Sequence, residues 1–189
     1  MEDNLRRTRL AHKYCSYCGS TVSIKIPDGD NKERAVCDKC GSIFYENPKI
    51  VSGCLLTYDN KILLCERATE PRAGYWTLPA GFLENNETIE GGAARETFEE
   101  ARAKAVDLKP FLLCNLPHIS QLYIIFYGEL LNGEYSAGPE SSDVKLFSQK
   151  EIPWNNLAFP VIEKTISLYY EDKKNDTIAI HFETITKKT

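Results

Sequence analysis

Three glutamates on one face of a predicted helix constrain this chain more than any other feature. Residues 81–103 read GFLENNETIEGGAARETFEEARA and contain Glu96, Glu99 and Glu100. An α-helix advances about 100° per residue, so the three side chains fall within roughly 100° of arc, where like charges repel. A solvated acidic face would explain a lone pair of glutamates. Crowded carboxylates on a rigid helix instead suit Mg²⁺ or Mn²⁺, because these hard cations prefer oxygen ligands.

The whole stretch resembles the Nudix box, GX5EX7REUXEEXGU, in which U is a bulky apolar residue. Every charged position agrees, and the matching residues are Gly81, Glu87, Arg95, Glu96, Glu99 and Glu100. Thr97 and Ala103 depart from the pattern at U positions. Arg102 replaces the last glycine, which would normally end the helix in the left-handed conformation. We therefore expect the departures to affect the end of the helix and to leave the carboxylates in place.

The resemblance implies a hydrolase with Mg²⁺ or Mn²⁺ at the box. It assigns Arg95 and Glu87 to holding the loop and the helix in shape. Glu140, in the loop 138–141, is a further catalytic candidate, since related enzymes often bring an extra glutamate to the metals or to the attacking water. A solvated loop carboxylate is the alternative for Glu140. The implied metal ligands are the side chains of Glu96, Glu99 and Glu100 and a backbone carbonyl of Ala80 or Gly81.

Aromatic residues near these motifs are candidates to stack on adenine or flavin. The predicted substrate-binding residues are Tyr45, Trp76, Phe82 and Tyr123, with Phe44 and Phe159 as further candidates. Ordinary core packing is the favoured interpretation for any one of Phe44, Tyr45, Tyr123 and Phe159. It is also favoured for Trp76, which lies in a G-x-W-x-L-P-x-G pattern just before the box. His118 is interpreted as a structural histidine of an apolar strand, with a minor role in binding left open.

Two near-copies, YCSYCGS and VCDKCGS, carry four of the seven cysteines as Cys15-x-x-Cys18 and Cys37-x-x-Cys40. A redox dithiol would explain a single pair, whereas two pairs joined by strand-like sequence predict a tetrahedral zinc ribbon. Four thiolates close the coordination shell, so the Zn²⁺ would be structural and would fold a segment too small to fold otherwise. The other three cysteines, Cys54, Cys65 and Cys114, stand among apolar residues and are interpreted as buried thiols.

The predicted organisation has two parts, an N-terminal arm with the zinc ribbon at 1–47 and a Nudix domain at 48–189. Within the second part, we expect a hairpin that turns at Asp59-Asn60 and a helix from near Thr88 to about Arg102. A second helix is predicted at about 160–172, and a terminal strand or extended tail at 177–185. Strands around two helices suit the α/β/α sandwich of the Nudix fold.

The ribbon and the box together resemble the zinc-ribbon branch of the family, which splits FAD, ADP-ribose or NADH into AMP and a phosphorylated remainder. NADH pyrophosphatases carry S-Q-P-W-P-F-P after the box, and only Ser120 and Gln121 agree with that string. FAD or ADP-ribose is therefore ranked first, with NADH as the alternative. Hydrolysis of nucleoside triphosphates or decapping would use the same metal chemistry. A non-catalytic module, in which the ribbon binds nucleic acid, is a further alternative.

The charge of the chain bears on its partners. A net charge of -4 argues against a general nucleic-acid binder, which usually shows a strongly basic face. No apolar stretch approaches the ~20 residues of a membrane span, and the N-terminus lacks the apolar segment of a secretory signal. We expect a cytosolic protein that acts on a small nucleotide, without nucleic-acid or membrane partners. A homodimer is implied by the resemblance.

Overall fold

The computed structural model describes residues 13–187. The chain divides into two compact units at the bond between Asn47 and Pro48. No helix within the described range is long and apolar enough to cross a membrane.

The N-terminal unit contains a small antiparallel sheet in the order β1-β2-β3. Its strands are β1 (Val22–Lys25), β2 (Arg34–Cys37) and β3 (Ile43–Phe44). A turn joins the first two strands, with the backbone N–H of Asp30 donating to the Pro27 carbonyl at 3.1 Å. The buried apolar cluster of this unit consists of only Cys15, Val22 and Cys37 among the described residues. So little buried surface cannot offset the entropy of folding, and the unit needs a metal or another crosslink.

The C-terminal unit is built on one mixed sheet in the order β10-β5-β4-β9-β8-β11, with two short strands, β6 and β7, paired to β5 and β4. The strands are β4 (Lys49–Tyr58), β5 (Lys61–Arg67), β6 (Trp76–Thr77), β7 (Ala80–Phe82), β8 (Ala105–Leu116), β9 (Gln121–Leu130), β10 (Ser141–Phe147) and β11 (His181–Thr184). The helices are α1 (Ile89–Ala101) and α2 (Pro160–Lys174). The β4–β9 and β8–β11 pairs are parallel, and the other pairs are antiparallel.

The alternating directions of the side chains along β4 show which face of the sheet each helix covers. Successive strand side chains point to opposite faces of a sheet. Cys54 and Leu56 pack in one cluster with Ala93 of α1. Leu55, between them, packs in a second cluster with Ile166 of α2. The helices therefore cover opposite faces, and the predicted α/β/α sandwich is confirmed.

Helix α1 begins and ends where the sequence predicts. The Thr88 hydroxyl accepts a hydrogen bond from the backbone N–H of Gly91 at 3.0 Å and caps the first turn. At the other end, Arg102 takes the left-handed conformation itself, with φ 49° and ψ 21°. Its guanidinium carbon lies 5.2 Å from the centroid of the Phe98 ring. This cation–π contact offsets part of the strain of the left-handed backbone. The helix exit of the box is thus preserved without its glycine.

Replacing Arg102 by glycine is expected to stabilise the protein by about 0.5–1 kcal/mol, because a side chain in the left-handed region costs more than the extra chain entropy of glycine. Urea denaturation of the variant would measure the gain in the free energy of unfolding. Arg102→Ala is the control, since it loses the contact with Phe98 and keeps the strain. A glycine variant no more stable than the alanine variant would contradict this account.

The predicted terminal strand is present as β11, which pairs in parallel with β8. The buried Asp172 of α2 holds the start of this strand. Its carboxylate accepts hydrogen bonds from the backbone N–H of Ala179 and from Nε2 of His181, each at 2.9 Å. Lys164 and Glu183 form an ion pair further along, at 2.9 Å. The edge of the sheet is therefore tied to α2.

Candidate active site

Arg95 joins the loop before α1 to the helix. Its Nε donates to Glu87 at 2.6 Å, and its Nη2 donates to the backbone carbonyl of Phe82 at 3.1 Å. Its Nη1 donates to Glu96 at 2.8 Å and to Glu99 at 3.0 Å. The hydrogen bond from Arg95 is the main cause that lowers the pKa of Glu87. The structure therefore brings these four charged residues of the box into one ion-pair network.

Gly81 is needed for the close approach of Glu96. A Cβ at position 81 would lie 2.3 Å from the carboxyl carbon of Glu96, far inside van der Waals contact. Burial raises the pKa of Glu96, and Arg95 opposes that effect. The glycine of the box thus lets a partly buried carboxylate lie directly against the loop backbone.

Glu100 carries the least satisfied polar atom of the site. Its side chain is only 7% exposed, and its Oε2 has no hydrogen-bond partner among the described residues. Burial and the negative charge of Glu96 raise the pKa of Glu100 to about 8, against a hydrogen bond from the backbone of Ala80. Burying a carboxylate oxygen without a partner costs several kcal/mol. A cation bound at this oxygen would remove that cost.

The donor set fits a hard divalent cation. The candidate ligand atoms are carboxylate oxygens and one backbone carbonyl oxygen, and Mg²⁺ and Mn²⁺ prefer oxygen ligands of this kind. The three glutamates do not form a closely spaced ligand group, and two of them, Glu96 and Glu99, accept hydrogen bonds from Arg95. Among the described residues, only the four paired cysteines form a group of three or more His, Cys, Asp or Glu side chains whose ligand atoms all lie within 4.8 Å of one another.

Replacing Glu100 by glutamine is expected to stabilise the protein in buffer free of Mg²⁺ and Mn²⁺. Because the pKa of the folded state is raised from 4.5 to about 8, ionisation of Glu100 weakens folding progressively as the pH rises through this range. Glutamine lacks this loss, so its advantage in the free energy of unfolding should grow with pH to on the order of 5 kcal/mol, because each unit of pKa shift corresponds to about 1.4 kcal/mol. Urea denaturation at both ends of the range, with Glu90→Gln as control, measures it. An advantage independent of pH would contradict the assignment.

A cavity of about 700 Å³ opens over these carboxylates. Its charged lining residues are Arg67, Glu84, Arg95, Glu96, Glu99, Glu100 and Glu140. Its apolar and aromatic lining residues include Phe82, Leu116, Ile119, Tyr123, Phe159 and Ile162. The volume lies within the usual range for small-molecule sites. Acidic groups thus line the same cavity as rings able to stack on a nucleobase.

Some of the predicted substrate-binding residues line the cavity, and others do not. Phe82, 50% exposed, and the partly buried Tyr123 line the cavity, as does Phe159. Trp76 is not among the lining residues. Its ring is buried in the core, edge-on to Phe147 at 4.8 Å between ring centroids, which agrees with the core interpretation. Tyr45 belongs to the N-terminal unit, where the guanidinium of Arg34 lies over its ring.

The interpretation of His118 as a structural histidine of an apolar strand is wrong. It lies in the short 3-10 turn Pro117–Ile119, between β8 and β9, where its side chain is exposed and lines the cavity. Pro117 starts this turn and lacks the N–H that a strand would use. The minor role in binding that the sequence left open is the interpretation consistent with this position.

The loop that carries Glu140 is fixed to the end of α1. The backbone N–H of Gly138 donates to the Glu100 carbonyl at 2.9 Å, and the Glu140 carbonyl accepts from the backbone N–H of Ala68 at 2.9 Å. A Cβ at position 138 would lie 1.7 Å from the carbonyl oxygen of Glu99. These contacts hold Glu140 in the cavity lining.

Sequence reasoning missed Arg67, the last residue of β5. Its guanidinium carbon lies 5.4 Å from the centroid of the Phe159 ring, and its charge is among the causes that lower the pKa of Tyr123, against the larger effect of burial. No local pattern marks this arginine, because it reaches the cavity only through the pairing of β5 in the sheet and the placement of Phe159 before α2.

The zinc centre lies in the N-terminal unit. The sulfur atoms of Cys15 and Cys40 are 3.7 Å apart, those of Cys18 and Cys37 3.5 Å, and those of Cys18 and Cys40 3.6 Å. Four thiolates around one zinc ion, with bonds of about 2.3 Å, lie about 3.8 Å from one another. The four cysteines therefore fit a structural Zn²⁺.

Comparison with known families defines the class of protein. Residues 13–46 match the Nudix N-terminal zinc ribbon, and residues 47–167 match the NUDIX domain. The second match covers more than half of the chain, so the chain belongs to the Nudix hydrolase family.

Individual proteins of known structure or known name are also similar to this chain. A NUDIX hydrolase from Nitrosomonas europaea has a crystal structure that superposes with a TM-score of 0.89 at 47% identity, covering 93% of this chain and 100% of that one. The NAD-capped RNA hydrolase NudC of Photorhabdus laumondii is 30% identical over 165 residues, which are 84% of this chain and 62% of that protein. NudC of Escherichia coli (strain SMS-3-5 / SECEC) is 28% identical over 166 residues, with the same coverage. The chain therefore spans less than two thirds of the length of these NudC relatives.

These relatives bear on the expectation that no nucleic acid is a partner. Both NudC proteins are named for the hydrolysis of a capped RNA. That expectation is in partial conflict with them, and an RNA-linked dinucleotide belongs among the substrates to be tested. The net charge of the whole chain reports on non-specific binding to nucleic acid and not on a cap held in one cavity.

Proposed function

We propose that this protein is a Mg²⁺- or Mn²⁺-dependent pyrophosphatase that hydrolyses the diphosphate of an ADP-linked substrate, FAD or ADP-ribose, to AMP and a phosphorylated remainder. The single observation that carries the proposal is the buried Oε2 of Glu100, which has no protein partner within the described residues. It lies beside two further box carboxylates in the lining of the cavity.

The box glutamates would act as the metal ligands. Glu96, Glu99 and Glu100 would hold the divalent ions, with a backbone carbonyl of Ala80 or Gly81. When bound, such ions neutralise charge on the diphosphate and lower the pKa of a coordinated water.

Two other residues support the reaction. Arg95 would keep the loop and the helix in their relative positions through its hydrogen bonds to Glu87 and to the Phe82 carbonyl. Glu140, which lines the same cavity, would orient the attacking water. Water adds to one phosphorus, and the bridging oxygen leaves on the other phosphate.

The choice of an ADP-linked substrate is supported by the cavity wall. Phe82, Tyr123 and Phe159 line the same cavity as the box carboxylates, and aromatic rings of this kind can stack on an adenine or a flavin. A volume of about 700 Å³ accommodates a nucleotide with part of a second group. FAD and ADP-ribose rank above NADH because the residues after Gln121 depart from the NADH pyrophosphatase string.

An NAD-linked substrate is the second candidate, and the similarity to the two NudC proteins favours it. The reaction is the same, since water splits a diphosphate that carries AMP on one side. Only the group that enters the rest of the cavity differs.

A homodimer also remains a prediction from the family.

The test is a substrate panel in Mg²⁺ or Mn²⁺, with products identified by mass. The panel contains FAD, ADP-ribose, NADH, NAD⁺, nucleoside triphosphates and an NAD-capped oligoribonucleotide. We expect AMP from FAD or ADP-ribose at the highest kcat/KM. Fastest cleavage of the NAD-linked compounds would replace the first candidate by the second. Absence of cleavage of every compound would overturn the proposed function.

A further inference from the structure

We propose that Arg67 binds a phosphate group of the substrate in this cavity through its two terminal nitrogens. The inference rests on the proposed function for the identity of its ligand, a nucleoside diphosphate group. It adds a residue that lies outside the Nudix box and that the sequence pattern does not indicate. The observations that carry it are the fixed position of the guanidinium and the arrangement of charge around it.

Three hydrogen bonds and one contact with an aromatic ring hold Arg67 in place. Its Nε donates a hydrogen bond to the carbonyl of Pro71 at 2.9 Å. Its backbone N–H donates to the Tyr75 carbonyl at 2.9 Å, and its own carbonyl accepts from the backbone N–H of Gly74 at 2.8 Å. On the other side, its guanidinium lies over the ring of Phe159. An arginine held in this way loses little conformational entropy when it takes up a ligand.

Its remaining donors are available. Within the described range 13–187, neither terminal nitrogen of Arg67 donates a hydrogen bond to the protein. The planar fork of a guanidinium matches two oxygens of one phosphate, and such bidentate pairs are the strong charge-assisted hydrogen bonds. Arg67 therefore presents a preformed phosphate-binding group to the cavity.

The balance of charge in the cavity makes Arg67 the cation left for the substrate. Five of the lining residues are glutamates, and Arg67 and Arg95 are the two arginines. Arg95 already donates to Glu87, Glu96 and Glu99. Divalent ions held by the box would offset the negative charge of the glutamates. Arg67 thus remains to pair with the phosphate that the metal site does not neutralise.

The test measures binding separately from turnover. The probe is α,β-methylene-ADP, a diphosphate whose P–C–P bridge resists hydrolysis, titrated calorimetrically in Mg²⁺ against the full chain. Arg67→Gln is expected to weaken its binding about 10- to 100-fold, because a charge-assisted pair is lost. Arg67→Lys should fall between the two, since it keeps the charge and loses the fork. The affinity for adenosine, which has no phosphate, should not change.

Arg72→Gln is the matched control. Arg72 lies in the loop 68–75 that follows Arg67, and its guanidinium lies over the ring of Tyr75 at 5.0 Å, but it does not line the cavity. We expect this variant to bind the probe as the parent does. Circular dichroism of Arg67→Gln would show whether the fold is intact, and the lysine variant replaces it if the fold is lost.

The outcomes separate this inference from the proposed function. Unchanged probe binding in folded Arg67→Gln would overturn the role of Arg67, and hydrolysis of the substrate panel by the parent would still support the pyrophosphatase. Weakened probe binding in the same variant supports the phosphate contact even if no compound of the panel is cleaved. Equal weakening in Arg72→Gln would also overturn it, since it would indicate a general effect of positive charge.

Discussion

Replacing Glu99 and Glu100 together by glutamine is expected to reduce kcat/KM for the preferred substrate of the panel by about 1,000-fold, equivalent to about 4 kcal/mol of transition-state stabilisation. The amides keep the size of the side chains but lose the charge that holds a divalent cation. The helix should remain folded, because glutamine is a good helix former and removes a repulsion along α1. Initial rates across a series of Mg²⁺ concentrations measure the loss.

Glu90→Gln is the control for that experiment. Glu90 lies in the first turn of the same helix with its side chain exposed, and it does not line the cavity. Its replacement should leave kcat/KM within a factor of about two, as for a surface substitution. Turnover in the double variant within a few-fold of the parent would show that the box carboxylates do not support the reaction.

Replacing Cys37 by alanine is expected to abolish zinc binding and to unfold the N-terminal unit. Cys37 is 1% exposed and supplies both one sulfur ligand and part of the small apolar cluster of that unit. The binding free energy of a structural zinc ion, about 10–16 kcal/mol in small zinc-binding peptides, is the folding free energy of such a segment. Metal analysis would show the loss of zinc, and limited proteolysis would show cleavage confined to residues before Pro48.

The C-terminal unit should survive this substitution. Its two apolar clusters consist of residues from Ile50 to Ile185, so its core does not depend on the zinc centre. Cys65→Ala provides the comparison, because Cys65 is buried in the sheet, where burial raises the pKa of its thiol. That variant should retain one zinc ion per chain. Retention of zinc by Cys37→Ala would refute the four-cysteine site.

The limits of sequence reasoning show most clearly at individual aromatic and basic residues. Phe82 and Tyr123, which were predicted to bind substrate, line the cavity, whereas Trp76 lies in the core, as the favoured interpretation of its sequence context expected. All three stand in similar mixtures of apolar and polar neighbours, so the pattern does not distinguish a ring that lines a cavity from one that packs beneath the sheet. Arg67 is a case that the sequence pattern missed, because only the residues around it in the fold show that it lines the cavity.

The sequence by itself determined the features that depend on short spacings. Glu96, Glu99 and Glu100 must share a helix face because of the helical repeat, and two Cys-x-x-Cys pairs must turn their sulfurs inward because of the short gap in each. Only the tertiary structure decided which carboxylate oxygen is buried without a partner and which arginine keeps free donors beside it. These properties depend on the pairing of strands far apart in the chain, and the burial of a polar atom is set by everything packed around it.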